Sequence, residues 1–363
     1  MEEKFEMNGE DLVQESATFL EASRRSQAIW EDLPKHPEKY RVLTGDRPTG
    51  PLHIGHLFGT LANRVRIQDL GATTFIVVAD YQVLTDRDSA EAVGGNVHEM
   101  ILDYLAAGLD PDNGRTFFFS HSHIPELNQL LLPFMSLVTT AELDRNPTVK
   151  EEIKAAGLRQ VNALMYTYPI HQAADILFCK GNVVPVGRDQ LPHLELTRKI
   201  ARRFDDRYAP EAPIFPVPDA LLSDLPMVLG SDGQKMSKSR NNAIMLKMTT
   251  EETAKVIKGA KTDPERNITY DPQNRPEVAN LLRLISICTA EPPEAIAARI
   301  GAGGGGKLKA ELTEALNAHL APMRERRRHF AQDPAYITEV LRRGVDRARE
   351  EGIRTLKEVR KAM

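Results

Sequence analysis

Cysteine is nearly missing. Cys179 and Cys288 are the only two in 363 residues, and neither belongs to a C-x-x-C pair. A disulfide framework and a cysteine zinc site are therefore not expected, and each thiol reads as a small buried apolar group. Also absent is any apolar run long enough to cross a bilayer. The opening MEEKFEMNGEDLVQES is acidic and lacks the basic-then-apolar order of an export signal, so the expectation is a cytoplasmic protein with no membrane partner. Strong net charge is lacking too, because 47 Lys plus Arg face 51 Asp plus Glu, leaving −4. That balance hides an asymmetry. Residues 1–40 carry 10 acidic and 5 basic side chains, and residues 321–363 carry 12 basic and 7 acidic. A basic C-terminal segment suits a polyanion, or is simply a solvated helix face. No internal repeat is visible.

What is present is globular. A charged fraction of 27% and a hydrophobic fraction of 41% exclude general disorder, and the length suits about two domains. Residues 1–40 read as an acidic helical extension ending at Leu33-Pro34 and His36-Pro37. β-like runs follow at Tyr40–Thr44, Thr73–Ala79, Thr116–Phe119 and Asn182–Val186. Helical patterns over Gly55–Leu70, Ala90–Ala107 and Pro192–Phe204 alternate with them. This alternation predicts an α/β fold with a parallel sheet covered by helices on both faces. Beyond Thr249 the pattern turns helical: Glu251–Lys258, Pro276–Thr289, Lys307–Ala331 and Tyr336–Ala362. The expected division is 1–40, 41–247 and 248–363, with GAGGGG at Gly301–Gly306 as a flexible connector.

Two segments carry chemistry. GDRPTGPLHIGHLFGTL, from Gly45, joins a strand end through a tight turn to a helix N-terminus, which is a phosphate-facing arrangement. His53 and His56 lie three apart on one side of its first turn and could donate N–H bonds to a charged phosphoryl group. The alternative is two ordinary helix histidines and a routine turn. GSDGQKMSKSRNN, from Gly230, is a polar loop with Lys235 and Lys238 close together. Lysine point charges there suit a departing pyrophosphate, on a loop able to close and reopen. The alternative is a solvated basic loop.

His53-Ile54-Gly55-His56 and Lys235-Met236-Ser237-Lys238-Ser239 stand in this order about 180 residues apart. They resemble the paired signatures of the class I aminoacyl-tRNA synthetases, matching without a substitution. Between them, residues 165–204 resemble the amino-acid-binding stretch of the tryptophanyl and tyrosyl enzymes. The resemblance runs from residue 41 onward. It implies a Rossmann-like catalytic domain, with the KMSKS loop, followed by a helical tRNA anticodon-binding domain.

Tyr168, Gln172 and Asp175 are spaced four and three apart, so one helix face presents all three. That spacing is itself tyrosyl-like. Three features favour tryptophan. Leu43 stands where tyrosyl enzymes place a tyrosine, Ala173–Leu177 follows the tryptophanyl pattern, and Val186 replaces a second glycine. Indole offers a single N–H donor, so a pocket for it needs one acceptor among apolar walls. Asp175 can accept, and Leu43, Val184 and Val186 can supply the walls. Burying that carboxylate is costly unless further donors reach it.

By position, the resemblance gives Tyr168 and Gln190 to the substrate ammonium group. It gives Arg47, Pro48, Thr49, Gly55, His56, Gly187, Arg188, Asp189, Met227, Lys150 and the whole KMSKS loop to ATP. It makes His53, His56, Lys235 and Lys238 catalytic. Mg²⁺ accompanies ATP, and no protein metal cage is visible. The further partners implied are tRNA(Trp), L-tryptophan and a second copy in a homodimer. Arg324, Arg326, Arg327 and Arg328 are candidates for phosphate contacts, with a plain helix surface as the alternative. The chain departs from many bacterial tryptophanyl enzymes at Arg47, His56, Gln82 and Gln172, as in a divergent or auxiliary branch. Three other readings stay open: a tyrosyl enzyme, a duplicated synthetase with another role, and a non-catalytic nucleotide- or RNA-binding regulator. For residues 1–40 the opposite charges suggest docking on the basic C-terminal segment of the same or a partner subunit.

Overall fold

A computed structural model describes residues 9–85, 93–156, 161–222 and 228–363. In chain order it contains α1 (Gly9–Asp32), β1 (Arg41–Asp46), α2 (Ile54–His56), α3 (Ala62–Asp69), β2 (Thr73–Val78), α4 (Val93–Ala107) and β3 (Thr116–Ser120). Four short helices follow: α5 (Pro125–Asn128), α6 (Leu131–Met135), α7 (Thr140–Asp144) and α8 (Pro147–Ala156). Then come α9 (Ala163–Leu177), β4 (Val183–Val186), α10 (Leu191–Tyr208) and β5 (Asp219–Leu222). The helical region holds α11 (Thr250–Lys258), α12 (Pro276–Thr289), α13 (Pro293–Ile300), α14 (Gly304–Ala331) and α15 (Pro334–Ala362).

The strands form one parallel sheet in the order β3-β2-β1-β4-β5. The inner strand β2, TTFIVV, is buried along five of its six residues, as expected where helices cover both faces. The four expected strands are found with boundaries shifted by one or two residues. β5, reading DALL, is additional; it carries no β-branched residue, so propensity gave no signal.

Both outer strands are covered by helices, which removes open edges for unwanted pairing. At β5 the cover is α1: Leu222 N–H donates to Ser26 Oγ at 2.9 Å, and Arg25 pairs with Asp219 at 2.9 Å. Ile29 and Leu33 pack with Val42, Val183 and Leu221. Within this chain α1 docks on the sheet and not on the basic C-terminal segment. At β3 the cover is α15, where a Cβ built at Gly344 would stand 1.9 Å from the Phe118 carbonyl oxygen.

The largest hydrophobic cluster joins Phe58, Ile76 and Phe118 to Leu312, Leu320 and Ile337, so sheet and C-terminal helices share one core. The GAGGGG stretch is not a loose connector. Gly301–Gly303 form a 3₁₀ turn and Gly304 begins α14. Among the described residues no helix is long and apolar enough to cross a membrane.

Candidate active site

The strand order reverses direction between β1 and β4, and in open parallel sheets ligands bind beyond the strand ends at such a point. A cleft of about 1070 Å³ opens there. Its first wall is β1 and the turn after it: Leu43, Gly45, Asp46, Arg47, His53, Gly55 and His56. The His53 and His56 rings lie 3.8 Å apart, and His56 Nδ1 accepts the His53 backbone N–H at 3.2 Å. Nδ1 of His56 is thus an acceptor, which leaves its proton on Nε2. Burial, then the His56 and Lys238 charges, push His53 down to about 3. Burial also lowers His56. Both rings are neutral donors at pH 7. A Cβ on Gly55 would strike the His53 ring at 2.9 Å, so the glycine between them is sterically required.

The same wall carries an ion pair that sequence reasoning missed. Arg64, buried to 1%, donates to Asp46 Oδ2 at 2.6 Å, and Tyr104 Oη donates to the same oxygen at 2.7 Å. Burial alone would raise Asp46; the Arg64 guanidinium outweighs it and holds the carboxyl at about 2.

The second wall comes from the lysine loop. Lys235 and Met236 line the cleft. Lys238 donates from Nζ to Thr49 Oγ1 at 3.0 Å and to the Gly50 carbonyl at 3.1 Å, joining the two signature segments directly. Asn242 holds the loop, accepting from Ser237 N–H at 2.8 Å and donating to the Lys235 carbonyl at 3.2 Å. The chain beyond it pairs back, with Ile54 N–H on Ile244 O and Leu246 N–H on Leu52 O.

The third wall is α9 with β4. Tyr168, Gln172 and Asp175 all line the cleft, as their spacing predicts, and Leu43, Val184 and Val186 line it as apolar surface. Gly187, Arg188, Asp189 and Gln190 follow at the mouth, where the Arg188 guanidinium sits 4.6 Å over the Phe19 ring. Tyr168 Oη lies 2.8 Å from His193 Nε2, whose Nδ1 lies 3.1 Å from the Asn146 amide nitrogen. An amide donor at Nδ1 places the His193 proton on Nε2, facing the phenol. Burial pushes His193 down to about 4 and raises Tyr168, which also bonds the Glu152 side chain.

Asp175 is 2% exposed, and both its oxygens have company. Gln82 Nε2 donates to Oδ2 at 3.3 Å. His121 Nε2 stands 2.9 Å from Oδ1, a contact too bent to count as a hydrogen bond, and neither atom has a hydrogen-bond partner among the described residues. His121, His171 and Asp175 bring ligand-type atoms within 4.8 Å of one another.

Some expected residues fall elsewhere. Pro48 and Thr49 lie behind the wall, Thr49 serving Lys238. Lys150 is exposed on α8 and off the wall, whereas its neighbours Pro147, Thr148, Glu151 and Glu152 line it. Ser237 and Ser239 are outside the lining, and nothing is described of the Ser239 side chain. Met227 lies outside the described residues. The candidate phosphate contacts on α14 are mostly engaged within the chain. Arg324 bonds Asn317 and Thr253, Arg326 bonds the Ala106 carbonyl, and Arg327 bonds Asp103 and Glu99. Glu152, His121 and His171 were missed; the run Ser120-His121-Ser122-His123 at a strand end was the available signal.

The family model for class I tRNA synthetases (W and Y) matches residues 35–321. A tryptophan–tRNA ligase from Treponema pallidum is 40% identical over 89% of this chain and 96% of its own. That from Clostridium longisporum is 41% identical, with the same coverage. Among solved structures, a Campylobacter jejuni tryptophanyl-tRNA synthetase complexed with ADP and tryptophan superposes with a TM-score of 0.76 at 28% identity, covering 88% of this chain and 98% of that one. With both signature segments meeting at one cleft and these relatives spanning nearly its whole length, the chain belongs to the tryptophanyl and tyrosyl family of class I tRNA synthetases.

Proposed function

We propose that the chain is a tryptophan–tRNA ligase. The tryptophan carboxylate attacks the α-phosphorus of ATP, forming the P–O bond of tryptophanyl-adenylate as the bond to pyrophosphate breaks. The aminoacyl group then passes to the terminal adenosine of tRNA(Trp), releasing AMP. The observation that carries the amino-acid choice is Asp175, a buried carboxylate on a cleft whose lining also includes the apolar Leu43, Val184 and Val186. An indole N–H satisfies it, and a phenylalanine ring would leave it unpaired.

Tyr168, Gln190 and Glu152 receive the substrate ammonium group. Neutral His53 and His56 donate to the phosphoryl oxygens as charge moves there, an interaction worth more at a dry site than in water. Lys235 and Lys238 follow the pyrophosphate, and Arg47, Gly187, Arg188 and Asp189 face the nucleotide. Mg²⁺ enters as part of the MgATP substrate. The enzyme's contribution is placement and charge stabilisation, with no covalent nucleophile.

A cytoplasmic location and a homodimer go with this reading. Leu132 and Met135 on α6, exposed to 76% and 38%, offer apolar surface for a second copy. The C-terminal helices receive the tRNA. A tyrosyl enzyme is opposed by Leu43, which gives a phenol no second polar partner.

Amino-acid-dependent ATP–pyrophosphate exchange, run separately with tryptophan and tyrosine, tests this. Exchange with tryptophan alone is expected. Exchange with tyrosine would return the pocket to a tyrosyl reading. Exchange with neither, from folded protein that binds ATP, would favour the non-catalytic regulator.

A further inference from the structure

The cleft wall ends at Asp175, but the polar structure continues behind it. His121 follows β3, Gln82 follows β2, and Asp175 lies on α9, so three separate elements converge on one carboxylate. His121 is fully buried and Asp175 nearly so. Burying an isolated carboxylate costs several kcal/mol unless donors reach it. Gln82 supplies one donor to Oδ2, whereas Oδ1 has no hydrogen-bond partner among the described residues and has the His121 Nε2 atom 2.9 Å away.

His121 is itself held. Its ring lies 4.5 Å from the His171 ring, tilted by 60°. His171 Nε2 donates to Asn128 Oδ1 at 2.9 Å. Burial lowers His171 from its ordinary value, so its single proton is spent on Asn128. His121 therefore packs against a locked, neutral ring and has only Asp175 to serve.

We propose that His121 is a positioning residue for amino-acid selection: it holds Asp175 Oδ1 so that the carboxylate presents its remaining acceptor direction to the substrate side chain. This rests on the reading of Asp175 as the indole acceptor. His121 does not line the cleft. Its effect passes through Asp175 alone. A carboxylate held by Gln82 at one oxygen only would rotate about its terminal bond, and the indole N–H would meet it in several orientations.

The test uses the full chain, with His121→Leu and His121→Gln compared in tryptophan-dependent ATP–pyrophosphate exchange. His121→Leu is expected to raise the KM for tryptophan about tenfold or more, because it removes the polar group that stands against one oxygen of a buried carboxylate. The KM for ATP should stay within twofold. Preference for tryptophan over phenylalanine, as a ratio of kcat/KM, should fall by a similar factor. His121→Gln keeps an N–H donor and should recover most of the loss. An unchanged tryptophan KM in His121→Leu overturns the proposal. So does a parallel rise in both KM values, which marks a general loss of structure, or stoichiometric zinc in the purified protein that His121→Leu releases. Should His121→Leu not fold, His121→Asn takes its place, being too short to reach Asp175. Gln outperforming Asn supports the proposal, and equal performance overturns it. An unaltered enzyme that does not activate tryptophan overturns instead the function on which the proposal rests.

Discussion

At the residue scale, burial sets the protonation states the chemistry needs. His53, at about 3, stays a neutral donor through the physiological range, so activation should show no His53 step above pH 4 in a pH–rate profile. The same shifts make a stability statement. A histidine held below its unfolded value of 6.5 contributes fully above pH 6.5. That contribution is lost as pH falls toward the folded value, because the unfolded chain then binds the proton first. His193, held at about 4 between Asn146 and Tyr168, should therefore contribute to falling stability between pH 6.5 and 4. Melting temperatures of His193→Gln should fall less steeply over that window than those of the parent; identical slopes would remove His193 from the account. Lys238 combines charge with a latch on Thr49 and Gly50. Lys238→Ala should slow adenylate formation about 100-fold or more, read by single-turnover quench, with little change in tryptophan binding.

At the scale of elements, contacts between helices and sheet explain side chains whose role the sequence left open. Arg327 was a candidate for tRNA phosphate. It instead donates at 2.7 Å to Asp103, which is fully buried on α4 and also accepts the Leu52 N–H at 3.0 Å. Arg327→Met would leave that carboxylate buried and unpaired. The expected cost is about 3 kcal/mol, read as a lower urea midpoint at unchanged m-value. A loss confined to tRNA affinity, with stability intact, would restore the phosphate role. Gly344 makes the parallel case on α15. The backbone of this helix passes so close to β3 that a methyl group would overlap the Phe118 carbonyl. Gly344→Ala should destabilise by about 2 kcal/mol or more through forced displacement of α15, despite alanine's better helix propensity. A stabilised variant would show that α15 is free to move outward.

Over the whole molecule, the first and last described helices, α1 and α15, both cover the one sheet. Deleting residues 1–32 removes Ala22, Ser26 and Ile29 from β5 and exposes that strand. Burying one large aliphatic side chain is worth roughly 1.5–3 kcal/mol. The truncated chain should melt several degrees lower and self-associate more readily, checked by calorimetry and light scattering. Unchanged melting would make α1 a passenger. What could be read from the sequence alone was whatever is written locally: the strand–helix alternation, the two signature segments, the single face of Tyr168, Gln172 and Asp175, and the apolar walls Leu43, Val184 and Val186. The alternation and the helix face follow from spacing of a few residues, whereas the signature segments and the apolar walls were legible through their resemblance to the family. Partnerships between distant residues were decided only by the fold. Asp175 meets Gln82 across 93 positions, Arg41 meets Glu351 across 310, and three of the four α14 arginines turn inward. Strand order sets these meetings, and side-chain type carries no record of which distant element will pack beside it. The sequence therefore determined the family and the chemistry it can perform. The tertiary structure decided which charged and polar groups serve the cleft and which hold the molecule together, because burial and pairing arise only once the chain has closed on itself.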